Sequence, residues 1–169
     1  MSPEAATAFI ATCPGGLEGL LGTELEGLGA TDVARQSGGV GFSGPLATAY
    51  RVCLWSRLAN RVLMPVAHFP AGDADALYRG ARAVDWGSLL VPDGTVAVSF
   101  GGARPAIGHS HYASQRIKDA LVDRLRAETG RRPDVDPRDA DARIHAYQAG
   151  EQVTLSLDLA GQSLHRRGY

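Results

Sequence analysis

Apolar residues first cluster at positions 8–12 (AFIAT), a run that predicts a strand, and Cys13-Pro14-Gly15-Gly16 then turns the chain. Leu17, Leu20, Leu21, Leu25 and Leu28 recur at helical spacing, with Gly29 placed to stop the helix. Residues 32–36 and 40–43 read as two strands flanking Ser37-Gly38-Gly39, a hairpin signal. Pro45 opens a second helix whose predicted inward face is Leu46, Ala49, Tyr50 and Cys53. A strand over 61–69 follows.

The turn formers of 70–75 (PAGDAD) make the best linker, after which the pattern restarts. Residues 77–84 predict a helix, 86–90 a short helix or turn, and 95–100 an alternating strand. The long helix is 110–129, with the apolar stripe Ala113, Ile117, Ala120, Leu121 and Leu125 and a stop at Gly130 and Pro133. Residues 142–148 and 152–159 form a strand pair around Ala149-Gly150, and 163–167 a last strand. The first six elements run strand, helix, strand, strand, helix, strand, the split order of a ferredoxin-like domain. The expectation is an α+β chain: a ferredoxin-like domain over 1–70, then an α/β domain over 71–169.

Composition narrows the setting. With 169 residues, 44% apolar and 21% charged, the chain holds one ordinary domain or two small ones, each with a real core. No stretch approaches a membrane span, and the N-terminus has neither a basic n-region nor a long apolar h-region, so a cytoplasmic protein with no membrane partner is expected. Cys13 and Cys53 are too few for a disulfide framework and too far apart for a metal knuckle. The net charge of −1 conceals a division: −4 over 1–50, +5 over 51–132 and −2 over 133–169. Sixteen of the seventeen basic residues are Arg, which suits bidentate phosphate contacts and stacking on bases.

The candidate binding residues gather on the long helix. His109, Ser110 and His111 lie at its N-terminus, where unpaired N–H groups and the helix dipole favour an anion. Arg104 is in the loop just before it, and Tyr112 is placed to stack or pack. Arg116 and Lys118 flank the apolar stripe on either side, in reach of a partner. The bland alternative pairs Arg116 with Asp119 and Arg124 with Glu128 on a solvated face. His109 and His111 are spaced to chelate, but no third ligand is near, so no metal is expected. Cys13 precedes a helix start, where a thiolate is favoured, and also reads as a small buried residue. The 55–61 run (WSRLANR) reads as a helix end with cations at its negative pole and Trp55 as packing, or as an Arg pair on an interdomain surface.

Catalytic motifs are missing. A dinucleotide-type methyl-donor site needs a strand, a spaced Gly-rich turn and a helix. Val98-Ser99-Phe100-Gly101-Gly102 is the one candidate, and it lacks the second spaced Gly. There is no P-loop, no nucleophile elbow and no Asn-Pro-Pro-Tyr-like tetrapeptide. No catalytic residue is assigned.

Cys13-Pro14-Gly15-Gly16-Leu17-Glu18, Glu24-Leu25, Gly38-Gly39-Val40 and Leu54-Trp55-Ser56-Arg57-Leu58 together resemble the N-terminal part of bacterial 23S ribosomal RNA guanine-N2 methyltransferases of the RlmL type. Asp85-Trp86, residues 110–123 and the tail from Leu157-Asp158-Leu159 to Leu164-His165-Arg166-Arg167-Gly168-Tyr169 extend the likeness over nearly the whole chain. The resemblance implies a ferredoxin-like domain and then a THUMP domain, an RNA-binding module. It also implies a covalently linked Rossmann-type methyltransferase domain after 169. That domain would move a methyl group from S-adenosylmethionine to a guanine amine of large-subunit ribosomal RNA; no cofactor is expected in this chain itself. One departure stands out: Gly108-His109-Ser110-His111-Tyr112 puts titratable groups where such proteins often carry Arg-Asn before Ser and an aromatic. Two other readings stay open: the THUMP module of a transfer-RNA methyltransferase or thiouridine synthetase, and a free-standing RNA-binding or interaction domain.

Overall fold

The computed structural model describes residues 6–36, 38–90, 94–103, 105–136, 138 and 140–160. The chain forms two compact units. One is Val66–Leu157; the other is built from the chain up to Pro65 and takes the chain back at Asp158.

The first unit runs β1 (Thr7–Thr12), α1 (Glu18–Gly27), β2 (Thr31–Gln36), β3 (Gly39–Gly44), α2 (Leu46–Trp55) and the first half of β4 (Arg61–Pro70). Its strands lie in the order β2-β3-β1-β4, with each observed pairing antiparallel. This is the ferredoxin-like order expected from the sequence. The core is Phe9, Leu21, Leu25, Val40, Phe42, Val52 and Val62. Phe9 and Phe42 face each other across β1 and β3 with ring centroids 5.4 Å apart. Gly29, at φ 98°, takes the left-handed conformation that releases the chain from α1. The returning Leu159 and Ala160 pack against this core, and Leu159 N–H donates to the Val62 carbonyl at 2.9 Å.

The second helix differs from its expected orientation. Thr48, Ala49 and Val52 are buried, whereas Leu46 and Tyr50 face solvent. Clearance over β3 explains the rotation. A Cβ on Gly44 would lie 3.1 Å from the Thr48 side chain, so only a small-residue face fits so close to the strand. Trp55, read as packing, is 69% exposed.

The second unit contains the far half of β4, then α3 (Ala74–Arg82), α4 (Trp86–Leu89), β5 (Thr95–Ala103), α5 (Ser110–Thr129), β6 (Asp134–Val135), β7 (Ala142–Ala149) and β8 (Gln152–Asp158). Strands β8-β7-β5-β6 are neighbours in that order. β7 and β8 form an antiparallel hairpin through Gly150, at φ 60°, while β5 pairs in parallel with both β7 and β6. Asp73 caps α3 by accepting from Ala76 N–H at 2.8 Å. The expected stripe of α5 is wholly buried, joined by Val122, and Gly130 at φ 71° ends the helix. Trp86 is fully buried, and its indole N–H donates to the Ala81 carbonyl at 2.8 Å.

Gly101 and Gly102, weighed above as a ligand-binding turn, are strand residues paired with Tyr147 and Gln148. A Cβ on Gly102 would stand 1.9 Å from the Gln148 carbonyl oxygen, so close backbone approach accounts for that glycine. The strand expected over 163–167 lies outside the described residues.

Candidate functional site

The loop into α5 is anchored from below. Gln148, fully buried on β7, accepts from Ile107 N–H through Oε1 at 3.2 Å and donates from Nε2 to the Ala71 carbonyl at 2.6 Å. Ala106 N–H donates to the Gly150 carbonyl at 2.8 Å. With Ile107 tucked into the core, the chain enters the helix at a fixed place.

His109 is the N-cap of α5 and makes no side-chain capping bond. Ser110, His111 and Tyr112 are exposed with it, so the first turn presents its N–H groups beside two imidazoles, a hydroxyl and a ring. His111 Nε2 is 3.1 Å from Gln115 Nε2, and Ser114 Oγ donates to the His111 carbonyl at 2.8 Å. Arg104 lies outside the described residues.

Arg116 and Lys118 are not part of that turn. Arg116 lies against α3: its guanidinium sits 4.5 Å from the Tyr78 ring centroid, and Nη2 is 3.7 Å from Asp75 Oδ1. Its Nε is buried without a hydrogen-bond partner among the described residues. Tyr78 in turn donates to Asp123 and accepts from Arg82 Nη1 at 2.8 Å. Lys118 leaves the helix in a different direction, with Nζ 3.2 Å from Asp119 Oδ1. Positions 116 and 118 are about 200° apart around a helix, so the two cations address different neighbours. Arg124 pairs with Glu128 as the spacing suggested, but Arg116 takes Asp75 and Tyr78 in place of Asp119.

Arg126 and Arg132 carry no signal of a site in the sequence. With Arg116, Tyr78, Asp119 and Asp123 they line a polar cleft of about 250 Å³. Three guanidiniums and two carboxylates there make a mixed field suited to a hydrogen-bonding ligand with negative groups. Arg126 stands ten residues, nearly three helical turns, after Arg116, Arg132 follows the helix stop, and Tyr78 comes from α3, so sequence spacing does not group them.

Elsewhere the candidate chemistry is structural. Cys13 is buried; burial pushes its thiol pKa up and the Glu18 charge adds to the rise, so no thiolate is favoured. Glu18 accepts from Gly16 N–H at 2.8 Å and Gly38 N–H at 3.2 Å, joining the turn before α1 to the β2–β3 hairpin. No group of three or more His, Cys, Asp or Glu among the described residues is placed to hold a metal. No described helix is long and apolar enough to cross a membrane.

Comparison with known proteins assigns both units. Residues 8–63 match the RlmL ferredoxin-like domain and residues 71–158 match the THUMP domain. The ribosomal RNA large subunit methyltransferase K/L of Stutzerimonas stutzeri is 49% identical over 161 residues, which is 95% of this chain and 22% of that protein. The protein of the same name from Syntrophotalea carbinolica is 49% identical over 166 residues, 98% of this chain and 23% of its own length. The chain thus spans about a fifth of the length of these curated relatives. Among solved structures, a predicted N6-adenine-specific DNA methylase from Listeria monocytogenes superposes with a TM-score of 0.85 at 28% identity, covering 98% of this chain and 43% of that one. SMU.472, solved in complex with SAH, also gives 0.85, at 26% identity, with 99% and 45% covered. The chain belongs to the THUMP-domain family, with an RlmL ferredoxin-like domain ahead of the THUMP domain.

Proposed function

We propose that this chain is the RNA-docking part of a cytoplasmic, S-adenosylmethionine-dependent methyltransferase that modifies a guanine amine of large-subunit ribosomal RNA. One observation carries the reading: the likeness to large-subunit ribosomal RNA methyltransferases covers 95% of this chain but only 22% of the relative. In the proposal, the methyl donor and the chemistry belong to a covalently linked methyltransferase domain, consistent with the SAH bound in a solved relative. This chain supplies position.

The α5 entrance is the proposed phosphate grip. His109, Ser110 and His111 offer backbone N–H groups, two imidazoles and a hydroxyl, and Tyr112 offers a ring. Arg104, six residues before the helix in sequence, and Lys118, farther along it beside Asp119, add positive charge. Arg116, held over Tyr78, serves the neighbouring cleft with Arg126 and Arg132. Contacts of this kind fix where the protein sits without reading sequence, leaving choice of base to the catalytic part.

Lys118→Glu combined with Ser110→Asp tests the grip. In filter binding with a fragment of large-subunit ribosomal RNA, the double variant should bind at least tenfold more weakly at low salt and show a shallower salt dependence. Unchanged binding would place the RNA site elsewhere. Competition with transfer RNA separates a ribosomal from a transfer-RNA substrate.

A further inference from the structure

Helix α2 turns half of its circumference to solvent without the polar residues such a face ordinarily carries. Leu46, Tyr50 and Leu54 follow one another at four-residue steps, and Arg51 and Trp55 form a second such step beside them. Tyr50 is 48% and Trp55 69% exposed. Arg51 is the one charged residue of the ten.

The surrounding sequence is one-sided in charge. From Val33 to Gly72 there is no Asp or Glu, while Arg35, Arg51, Arg57 and Arg61 fall within the stretch. Arg61 is paired with Asp158. Arg51 donates from Nη1 to the Leu28 carbonyl at 3.0 Å, which ties its guanidinium to the end of α1. Neither Arg51 nor Arg57 has an ion pair among the described residues.

The turn that follows is rigidly built. Glu24 on α1 accepts from the Ser56 hydroxyl and from Arg57 N–H, the latter at 3.1 and 3.2 Å to its two oxygens. Ser56 Oγ accepts in turn from Leu58 N–H at 3.4 Å and Ala59 N–H at 3.0 Å. The Glu24 carboxylate is thus engaged with Ser56 and the Arg57 backbone, and Trp55 and Arg57 flank a buried serine.

We propose that this face is a second RNA contact, separate from the α5 entrance: Tyr50 and Trp55 stack unpaired bases of a single strand, and Arg51 and Arg57 meet its phosphates. The proposal rests on the RNA-docking reading above. Flat rings beside guanidiniums, on a stretch with no Asp or Glu of its own, fit a polyanion that carries bases. An apolar protein surface would leave both guanidiniums without a counter-charge. The rings are about 7.5 Å apart along the helix and about 140° apart around it, so they form two platforms for different bases, and a stacked duplex could present neither.

Tryptophan fluorescence tests this directly, because Trp86 is buried and Trp55 is left to report on solvent. Titration of the purified chain with a 12-mer oligouridylate at low salt should quench the Trp55 emission saturably. Heparin, a polyanion without bases, should compete for the strand yet leave the emission unquenched. Trp55→Leu should abolish the signal and weaken binding of a labelled oligouridylate by roughly tenfold, the range of one lost base-stacking contact. Tyr50→Leu should weaken binding while leaving the Trp55 signal in place. Binding with no quenching and no effect of either variant overturns this site and leaves the α5 reading standing. Equal quenching by heparin overturns stacking. A blue shift of Trp55 that depends on protein concentration and ignores RNA makes the face a contact between copies, which also overturns the proposal. Failure of any RNA to bind defeats the docking reading itself.

Discussion

Gln148 joins two backbone segments that no strand ladder connects, and its position makes it hard to replace. Both ends of its amide are used, on Ala71 and on Ile107, out of reach of water. Gln148→Leu keeps the volume but strands one donor and one acceptor. The expected loss is about 2–6 kcal/mol, from about 1–3 per unsatisfied group, seen as a lower denaturation midpoint at an unchanged slope. Glu18 makes a different prediction. Hydrogen bonds from its own backbone N–H and then from Gly38 hold its carboxyl below the usual carboxylate pKa. A group depressed in the folded state adds stability that is complete above its unfolded pKa and is lost as pH falls through the folded one. Glu18→Gln should therefore flatten the stability profile on the acid side, below about pH 4.5, the unshifted carboxylate value. Denaturation midpoints of both proteins between pH 3 and 7 would show it; parallel profiles would not agree. Neither residue announced its role in the sequence. A glutamine in an alternating strand looks like an outward polar position, and Gly102 looks like a turn former, until the partner strand is known to pass within 1.9 Å of where its Cβ would be.

At the level of elements, legibility followed the length and contrast of the apolar pattern. The twenty residues of α5 carry an unambiguous stripe, and each position assigned to the core is buried. Ten residues of α2 are apolar almost all round, so spacing alone could not choose a face, and clearance over Gly44 made the choice. Two variants check that choice. Val52→Ala should cost about 2 kcal/mol as a core truncation, whereas Leu54→Ser should stay within about 0.5 kcal/mol as a surface change. The two residues of β6 are too short for any period to register. The candidate site was half legible. The anion-ready first turn of α5 followed from local sequence, but the ring and carboxylate that hold Arg116 come from α3, some forty residues upstream. Ser110→Asp exploits the local part. A carboxylate in the first turn should leave the helix as stable or more so, by about 0.3–1 kcal/mol, while repelling a phosphate. Lower RNA affinity with an undiminished Tm is the expected pair of results, and a lowered Tm would speak against the assignment of the helix start.

For the whole molecule, the decisive fact is the order in which the chain visits its units. It leaves the first through β4 and comes back only at Asp158, where a buried carboxylate meets Arg61 at 2.6 Å. No composition change marks that return, so a linear division of the sequence at its best linker could not reveal it. Asp158→Ala should weaken the first unit by about 3 kcal/mol, because it leaves the guanidinium facing a site built for its partner. Amide exchange should then quicken in β1 and β3 and stay unchanged in α5 and β7; uniform quickening would mean that the units unfold as one. The same return has a consequence in time. A ribosome delivers residues in order at about 5–20 per second, and Val66–Leu157 is one uninterrupted stretch that can close as soon as it emerges. The earlier stretch must wait with its edge strand uncovered until Asp158, Leu159 and Ala160 clear the exit tunnel. In nascent chains stalled at successive lengths, protease resistance should therefore arise in Val66–Leu157 before it arises in the unit built from the residues made earlier.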